Sequence, residues 1–154
     1  ISTTPLGAVY FASLASSYIA RVDTGTGAAT VIKPPTPNQG ARRIWSDSHG
    51  ALWVSEFIAG QISCFDPSTN TWKSWRLPGK QPQPYAIFVD MHDVVWVSDF
   101  GSQTLLRFDP VDGQFSRIAK PLGDLGIRQL LGRADEVWGA DQAHDRLIRV
   151  RNQQ

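Results

Sequence analysis

The sequence predicts an all-β fold, a partial β-propeller of four-stranded antiparallel blades, from three observations: a tryptophan step, a repeated turn and strands with two apolar faces. Trp53, Trp96 and Trp138 are separated by 43 and 42 residues, and Tyr10 stands 43 residues before Trp53. The same step links Asp23, Asp66 and Asp109, which open a turn written DTGTG, DPSTN and DPVDG. Proline at the second position of that turn presets φ for a type I geometry. Gly27, Asn70 and Gly113 at the fifth position are the residues that most cheaply turn left-handed, so each turn reads as a hairpin with a bulge. Leu52, Trp53 and Val54 are apolar in succession. A strand of that kind needs cover on both faces, which one sheet cannot supply and radially stacked sheets can.

In chain order, blade units at 7–40, 41–83, 84–126 and 127–154 divide a single domain spanning 1–154. The first unit starts at its second strand, in GAVYFAS, because only Ile1 to Leu6 precede it. The third is the most complete, with YAIFVD (85–90), VVWVSDF (94–100), TLLRFD (104–109) and QFSRIAK (114–120) as strands A to D. IRQLLGR, EVWGAD and RLIRVR give the last unit strands A, B and C without a D. Fourteen strands follow, about three and a half to four blades of a partial ring. Pro34, Pro35, Pro37, Pro82 and Pro84 fall in the connections between blades and stiffen them. Open first and last sheets would leave apolar faces bare, so a missing half or a second chain is expected to close the ring.

Composition narrows the function classes. The chain is 42% hydrophobic and 19% charged over 154 residues, enough to bury a core. Fifteen basic against fourteen acidic side chains leave a net charge of +1, which gives no electrostatic case for nucleic acid or an anionic membrane. Cys64 is the single cysteine and cannot form an intrachain disulfide. No apolar run approaches the roughly 20 residues of a membrane helix. Ile1 opens the chain with neither an initiating methionine nor a signal-peptide pattern, which reads as a trimmed start. A soluble domain of bacterial cytoplasm or periplasm fits, with the compartment left open.

The polar residues that keep the repeat phase are the candidate site. Arg42, Tyr85 and Arg128 begin strand A of successive units, and Glu56, Asp99 and Asp141 end strand B. Strand B ends on the face where A begins, so both sets are expected at one mouth of the channel. Arginines in that position suggest binding of a carboxylate or phosphate. The carboxylates suit a metal or polar ligand, or else the amides of the B-to-C turns and the arginines themselves. His144, near Asp141 and Asp145 on the same mouth, is a candidate base or ligand, whereas His49 and His92 share a phase in the A-to-B turns at the opposite mouth. Trp72 and Trp75 on an outer strand suit edge packing or a bound partner. The sequence holds no phosphate loop, nucleophile elbow or zinc spacing.

Units of the form G-x-L-W-[FV]-[ST]-E…G-x-I-x-x-[FI]-D, each followed by Leu-Pro and Pro-[HY]-[AG]-Ile, resemble those of the streptogramin B lyases (virginiamycin B lyase). GALWVSEFIAGQISCFD, Leu77-Pro78 and Pro84-Tyr85-Ala86-Ile87 carry the resemblance. It implies the C-terminal half of a seven-bladed propeller. It further implies a carbon-oxygen lyase that binds Mg2+ and linearises a cyclic depsipeptide antibiotic by elimination at its ester, a route to antibiotic resistance. In that chemistry a metal held by carboxylates, here Glu56, Asp99 and Asp141, neutralises developing charge, and a histidine takes a carbon-bound proton. The family's histidine slots hold Arg42, Tyr85 and Arg128 in this chain, so Tyr85 and His144 are the catalytic candidates and Arg42, Tyr85 and Arg128 the substrate-binding ones. Two other functions share the fold: a non-catalytic module binding a peptide, sugar or protein, and a metal-dependent lactonase. The partner in each case is a small molecule or cyclic peptide at the channel mouth.

Overall fold

A computed structural model describes residues 1–118 and 124–151 of the chain. Among the described residues, fifteen strands form four antiparallel meanders. The first sheet holds β1 (Ser2–Thr3), β2 (Val9–Ser13), β3 (Tyr18–Val22) and β4 (Ala29–Ile32). The second holds β5 (Ala41–Ser46), β6 (Leu52–Glu56), β7 (Gln61–Asp66) and β8 (Thr71–Arg76), and the third β9 (Pro84–Val89), β10 (Val95–Asp99), β11 (Thr104–Asp109) and β12 (Gln114–Arg117). Three strands make the last sheet, β13 (Ile127–Arg133), β14 (Glu136–Asp141) and β15 (Arg146–Arg151). No helix of the described residues is long and apolar enough to cross a membrane.

The strand count exceeds the fourteen expected from sequence by β1. Ser2 and Thr3 pair with Tyr10 and Val9 and give the first sheet its inner strand. Two polar residues carry no apolar pattern, so nothing in the sequence marks them as a strand. The expected strand at 114–120 ends at Arg117, and positions 119 and 120 lie outside the described residues.

Inner strands of successive sheets meet one another in order, β1 with β5, β5 with β9 and β9 with β13, and each second strand packs on the next sheet's inner strand. That is radial stacking about an axis, and it explains the consecutive apolar residues. On β6, Leu52 and Val54 join Tyr10, Ile19 and Ile44 in a core between the first two sheets, while Trp53 points the other way. Trp53 packs with Ile87, Val95 and Val97 between the second and third sheets. Val94, just before β10, and Trp96 on it face the fourth sheet with Ile127, Leu130 and Ile148. The strands β6 and β10, which lie between neighbouring sheets, therefore each feed two cores. Full burial of one such side chain is worth about 1.5–3 kcal/mol.

The turns behave as their residues require. Gly27, Asn70 and Gly113 have φ of 75°, 54° and 70°. The Asp23, Asp66 and Asp109 carboxylates each accept a backbone amide two residues on. A second aspartate device holds the tryptophans. Asp47 accepts the amides of His49 and Ala51 and the Trp53 indole at 3.1 Å, and Asp90 accepts those of His92 and Val94 and the Trp96 indole at 2.8 Å. One carboxylate thus closes the A-to-B turn and satisfies the buried indole N–H.

Candidate functional site

The site grows from a break in each ladder. Pairing of β5 with β6 shifts register between Ala41 and Arg43, that of β9 with β10 between Val97 and Asp99, and that of β13 with β14 between Ile127 and Leu130. These three inner strands are bulged at their starts, whereas β1 pairs with β2 without a shift, and a bulge re-aims side chains out of the ladder. The re-aimed residues include Arg42, Tyr85 and Arg128. Serines repair the broken ladders: the Arg43 amide donates to Ser55 Oγ at 3.1 Å and the Ala86 amide to Ser98 Oγ at 2.9 Å. The same hydroxyls donate onward to the next blade, Ser55 to the Tyr85 carbonyl at 2.8 Å and Ser98 to the Ile127 carbonyl at 2.7 Å. Each serine thereby fixes the bulge in its own blade and the inner strand of its neighbour.

Arg42 and Tyr85 are brought together. The Arg42 Cζ lies 3.6 Å from the centroid of the Tyr85 ring and 5.2 Å from that of Phe57. Phe100 stacks on Tyr85 at 4.4 Å with 20° between planes, and Phe57 meets it edge-on at 6.1 Å. Two groups at 3.6 and 4.4 Å cannot share one ring face, so Tyr85 is sandwiched and offers its phenol oxygen rather than a free π-face. Arg42 Nε is buried without a hydrogen-bond partner. The Arg42 guanidinium beside the phenol, reinforced by the charges of Arg128 and Arg43 and opposed by burial, holds the Tyr85 pKa below its ordinary value. Beside this cluster a cavity of about 200 Å³ is lined by Arg43, Ile44, Ala86, Ile87, Arg128 and Leu130. Phe57, Phe100 and Arg43 were not singled out from sequence, although Glu56-Phe57 and Asp99-Phe100 repeat in phase and could have been.

The three carboxylates lie at the same end of the sheets, paired in register with Ala41, Pro84 and Ile127. They serve their own blades and are not gathered. Glu56, fully buried, accepts from Ser63 Oγ at 2.6 Å and Gln61 Nε2 at 2.5 Å, and burial raises its pKa against these two hydrogen bonds. Asp99 accepts from the amides of Gln83 at 2.6 Å and Gly101 at 3.0 Å and from the Ser102 hydroxyl. Asp141 accepts from the amides of Gly126 and Ala143, from His144 Nδ1 at 2.9 Å and from Arg146 Nε at 2.9 Å. Burial acts to raise the Asp141 pKa, and these donors outweigh it and bring the value below the ordinary one. Among the described residues no three His, Cys, Asp or Glu side chains come within reach of one metal ion. The carboxylates present do not fit a Mg2+ site, because their oxygens are engaged by turn amides, hydroxyls and cations.

His144 sits on the rim of the last blade, its side chain partly exposed and its Nδ1 on Asp141. At the opposite mouth His49 Nδ1 lies 3.2 Å from Asp93, and His92 Nε2 lies 3.5 Å from Asp135. Trp72 and Trp75 pack into the interblade cores: Trp72 lies 4.9 Å from the Phe65 ring and Trp75 stacks on Trp53 at 5.4 Å. Edge packing accounts for both. Burial, with Asp47 and Asp66 nearby, pushes the Cys64 thiol up to about 12.

These features define part of a β-propeller in which Arg42, Tyr85 and Arg128 stand at the bulged starts of three inner strands and Arg42 lies on Tyr85. Solved structures place it further. A catalytically inactive histidine-to-alanine variant of virginiamycin B lyase from Staphylococcus aureus, with quinupristin, is similar at a TM-score of 0.87 and 20% identity, over 97% of this chain and 50% of that one. A streptogramin B lyase structure is similar at 0.88 and 20%, over 99% of this chain and 50% of that one. YCF48 bound to D1 peptide follows at 0.77 and 16%, over 99% and 50%. The chain thus spans about half the length of the solved structures it matches. No family model matches the sequence, and no curated protein matches it.

Proposed function

We propose that this chain is part of a propeller that binds a carboxylate-bearing ligand at its channel mouth through Arg42, Tyr85 and Arg128. The observation that carries the reading is the stacked Arg42, whose guanidinium is oriented by Tyr85 and Phe57 and whose Nε lacks a partner. An ordered guanidinium loses little entropy on binding and presents paired donors that match a carboxylate. Binding in the mouth suits a fold that also serves a peptide-bound propeller. Blades beyond these four, from a missing half or a second chain, complete the ring. Calorimetric titration with mono- and dicarboxylates and with phosphate tests the site. Replacing Arg42 or Arg128 by alanine weakens carboxylate binding about tenfold to a hundredfold, from the worth of a charged hydrogen bond. Unchanged affinity in both variants overturns the reading.

The second reading is elimination of the streptogramin B lyase kind, directed at the ester of a cyclic depsipeptide, with the metal it depends on held outside these four blades. Its support is the match to two such lyase structures over nearly the whole chain and the His144–Asp141 pair on the rim. Mass analysis after incubation with a cyclic depsipeptide and Mg2+ separates the possibilities. A linear product of unchanged mass favours the lyase, a gain of one water favours a lactonase, and metal-independent binding without turnover favours the binding module.

A further inference from the structure

We propose that the Arg42–Tyr85 pair catalyses metal-independent β-elimination on a uronate oligosaccharide, with the arginines holding the carboxylate and the tyrosine moving the proton. The inference rests on the carboxylate-binding reading above and names its substrate class. Three observations lead to it. The phenol oxygen is the part of Tyr85 left to a ligand, since both ring faces are covered by Arg42 and Phe100. The charged groups acting on that oxygen are all cations, Arg42 and Arg43 from β5 and Arg128 from β13. Phe57 and Phe100, which pack on the ring, are uncharged, and Glu56 and Asp99 are turned into their own blades by hydrogen bonds.

A carboxylate gripped by arginine has its charge neutralised, which acidifies the hydrogen on the adjacent carbon. Arginine stays protonated and cannot take that hydrogen, so the proton carrier within the cluster is Tyr85. One carrier on one side of the substrate suffices for a syn elimination. The Tyr85 phenolate takes the proton from the carbon next to the carboxylate, that C–H pair forms the C=C bond, and the β C–O bond breaks. The departing alkoxide then takes the proton back from the Tyr85 hydroxyl. Atoms and charge balance with no water, metal or oxidant consumed. A 4-linked mannuronate has this arrangement, a carboxylate, an acidic ring hydrogen and, one carbon further on the same ring face, a glycosidic oxygen. Three arginines about one mouth suit a chain that repeats its carboxylate.

The test uses 4-linked oligomannuronate with a chelator present. Elimination is read from the ultraviolet absorbance of a C=C bond conjugated to carboxylate, with fragments whose masses sum to that of the substrate. Tyr85→Phe keeps the ring stack and lowers kcat about 100-fold or more, the usual worth of an acid–base group and a larger loss than it causes in calorimetric affinity. The kcat/KM of the wild type rises with pH through the Tyr85 ionisation, and Arg42→Gln moves that rise to higher pH while raising KM. Full activity of Tyr85→Phe, or an unmoved pH limb in Arg42→Gln, overturns the proposal. Binding of the oligosaccharide without any product overturns it while leaving the carboxylate-binding reading in place, and absence of binding overturns both.

Discussion

Asp141 and Glu56 occupy equivalent places in the repeat and respond to pH in opposite senses. The folded-state pKa of Asp141 lies below its ordinary value, so its contribution to stability is present above the unfolded pKa and is lost as pH falls through the folded one. Glu56 is raised by burial, so its charged form is penalised in the folded state and stability falls as pH rises from the ordinary glutamate value toward the raised one. Asp141→Asn therefore destabilises at neutral pH, and its gap from wild type narrows on acidification toward about pH 3. For Glu56→Gln the variant gains on the wild type as pH rises from about 4. Urea unfolding midpoints across that range measure both slopes, and slopes of the same sign contradict these assignments. The difference between the two residues was not legible in the sequence. It depends on one methylene: Asp141 and Asp99 accept the amides of Gly126 and Gln83, while the equivalent Gly40 amide donates to Ser17 of the preceding blade and Glu56 is held by Ser63 and Gln61.

Among elements, the inner strand is the part that sequence patterning described least and the site depends on most. Strands B and C were readable because their residues are apolar on both faces, and the last sheet falls on Ile127–Arg133, Glu136–Asp141 and Arg146–Arg151 as expected. Bulges leave no such trace, because register is a property of two strands and a sequence pattern belongs to one. Arg42, Tyr85 and Arg128 could be placed at one mouth by phase alone. That Arg42 lies on Tyr85, and that Ser55 and Ser98 hold the bulges, required coordinates. Ser98→Ala tests this coupling of element to site. It removes the buried donor to the Ile127 carbonyl and the acceptor of the Ala86 amide, at a cost of about 2 kcal/mol for groups left unsatisfied. Thermal unfolding reads the loss, and ligand titration reads a second effect, weaker binding as the Tyr85 bulge loosens. Stability loss with undiminished binding would mean that the bulge holds its shape without the hydroxyl.

At the scale of the whole molecule, the interblade joint occurs three times among the described residues, with a half-joint at either end of the row. Tyr10, Trp53 and Trp96 are 4%, 3% and 1% exposed because each lies under the following sheet. Trp138 holds the same phase, yet it is only half-buried, with Arg149 at 5.5 Å and Glu136 on its indole N–H, and no further sheet covers it among the described residues. Leu131 and Leu147 beside it are 50% and 71% exposed. On the first sheet, Val9 and Phe11 stand in phase with Leu52 and Val54, which elsewhere receive the previous blade's aromatic, and they too are incompletely covered. One bare face is therefore the donor side of a joint and the other its acceptor side. Apolar surfaces of this kind favour head-to-tail association, which closes on itself or propagates according to the rotation between copies. A chain of these 154 residues is expected to sediment as a species heavier than a monomer, and Leu147→Glu combined with Trp138→Gln is expected to return it to one. Both substitutions fall on the bare face, so interior burial and thermal unfolding should stay close to wild type. A wild-type chain that remains monomeric and soluble at tens of micromolar, where weak interfaces populate, would show that the two faces do not recognise each other.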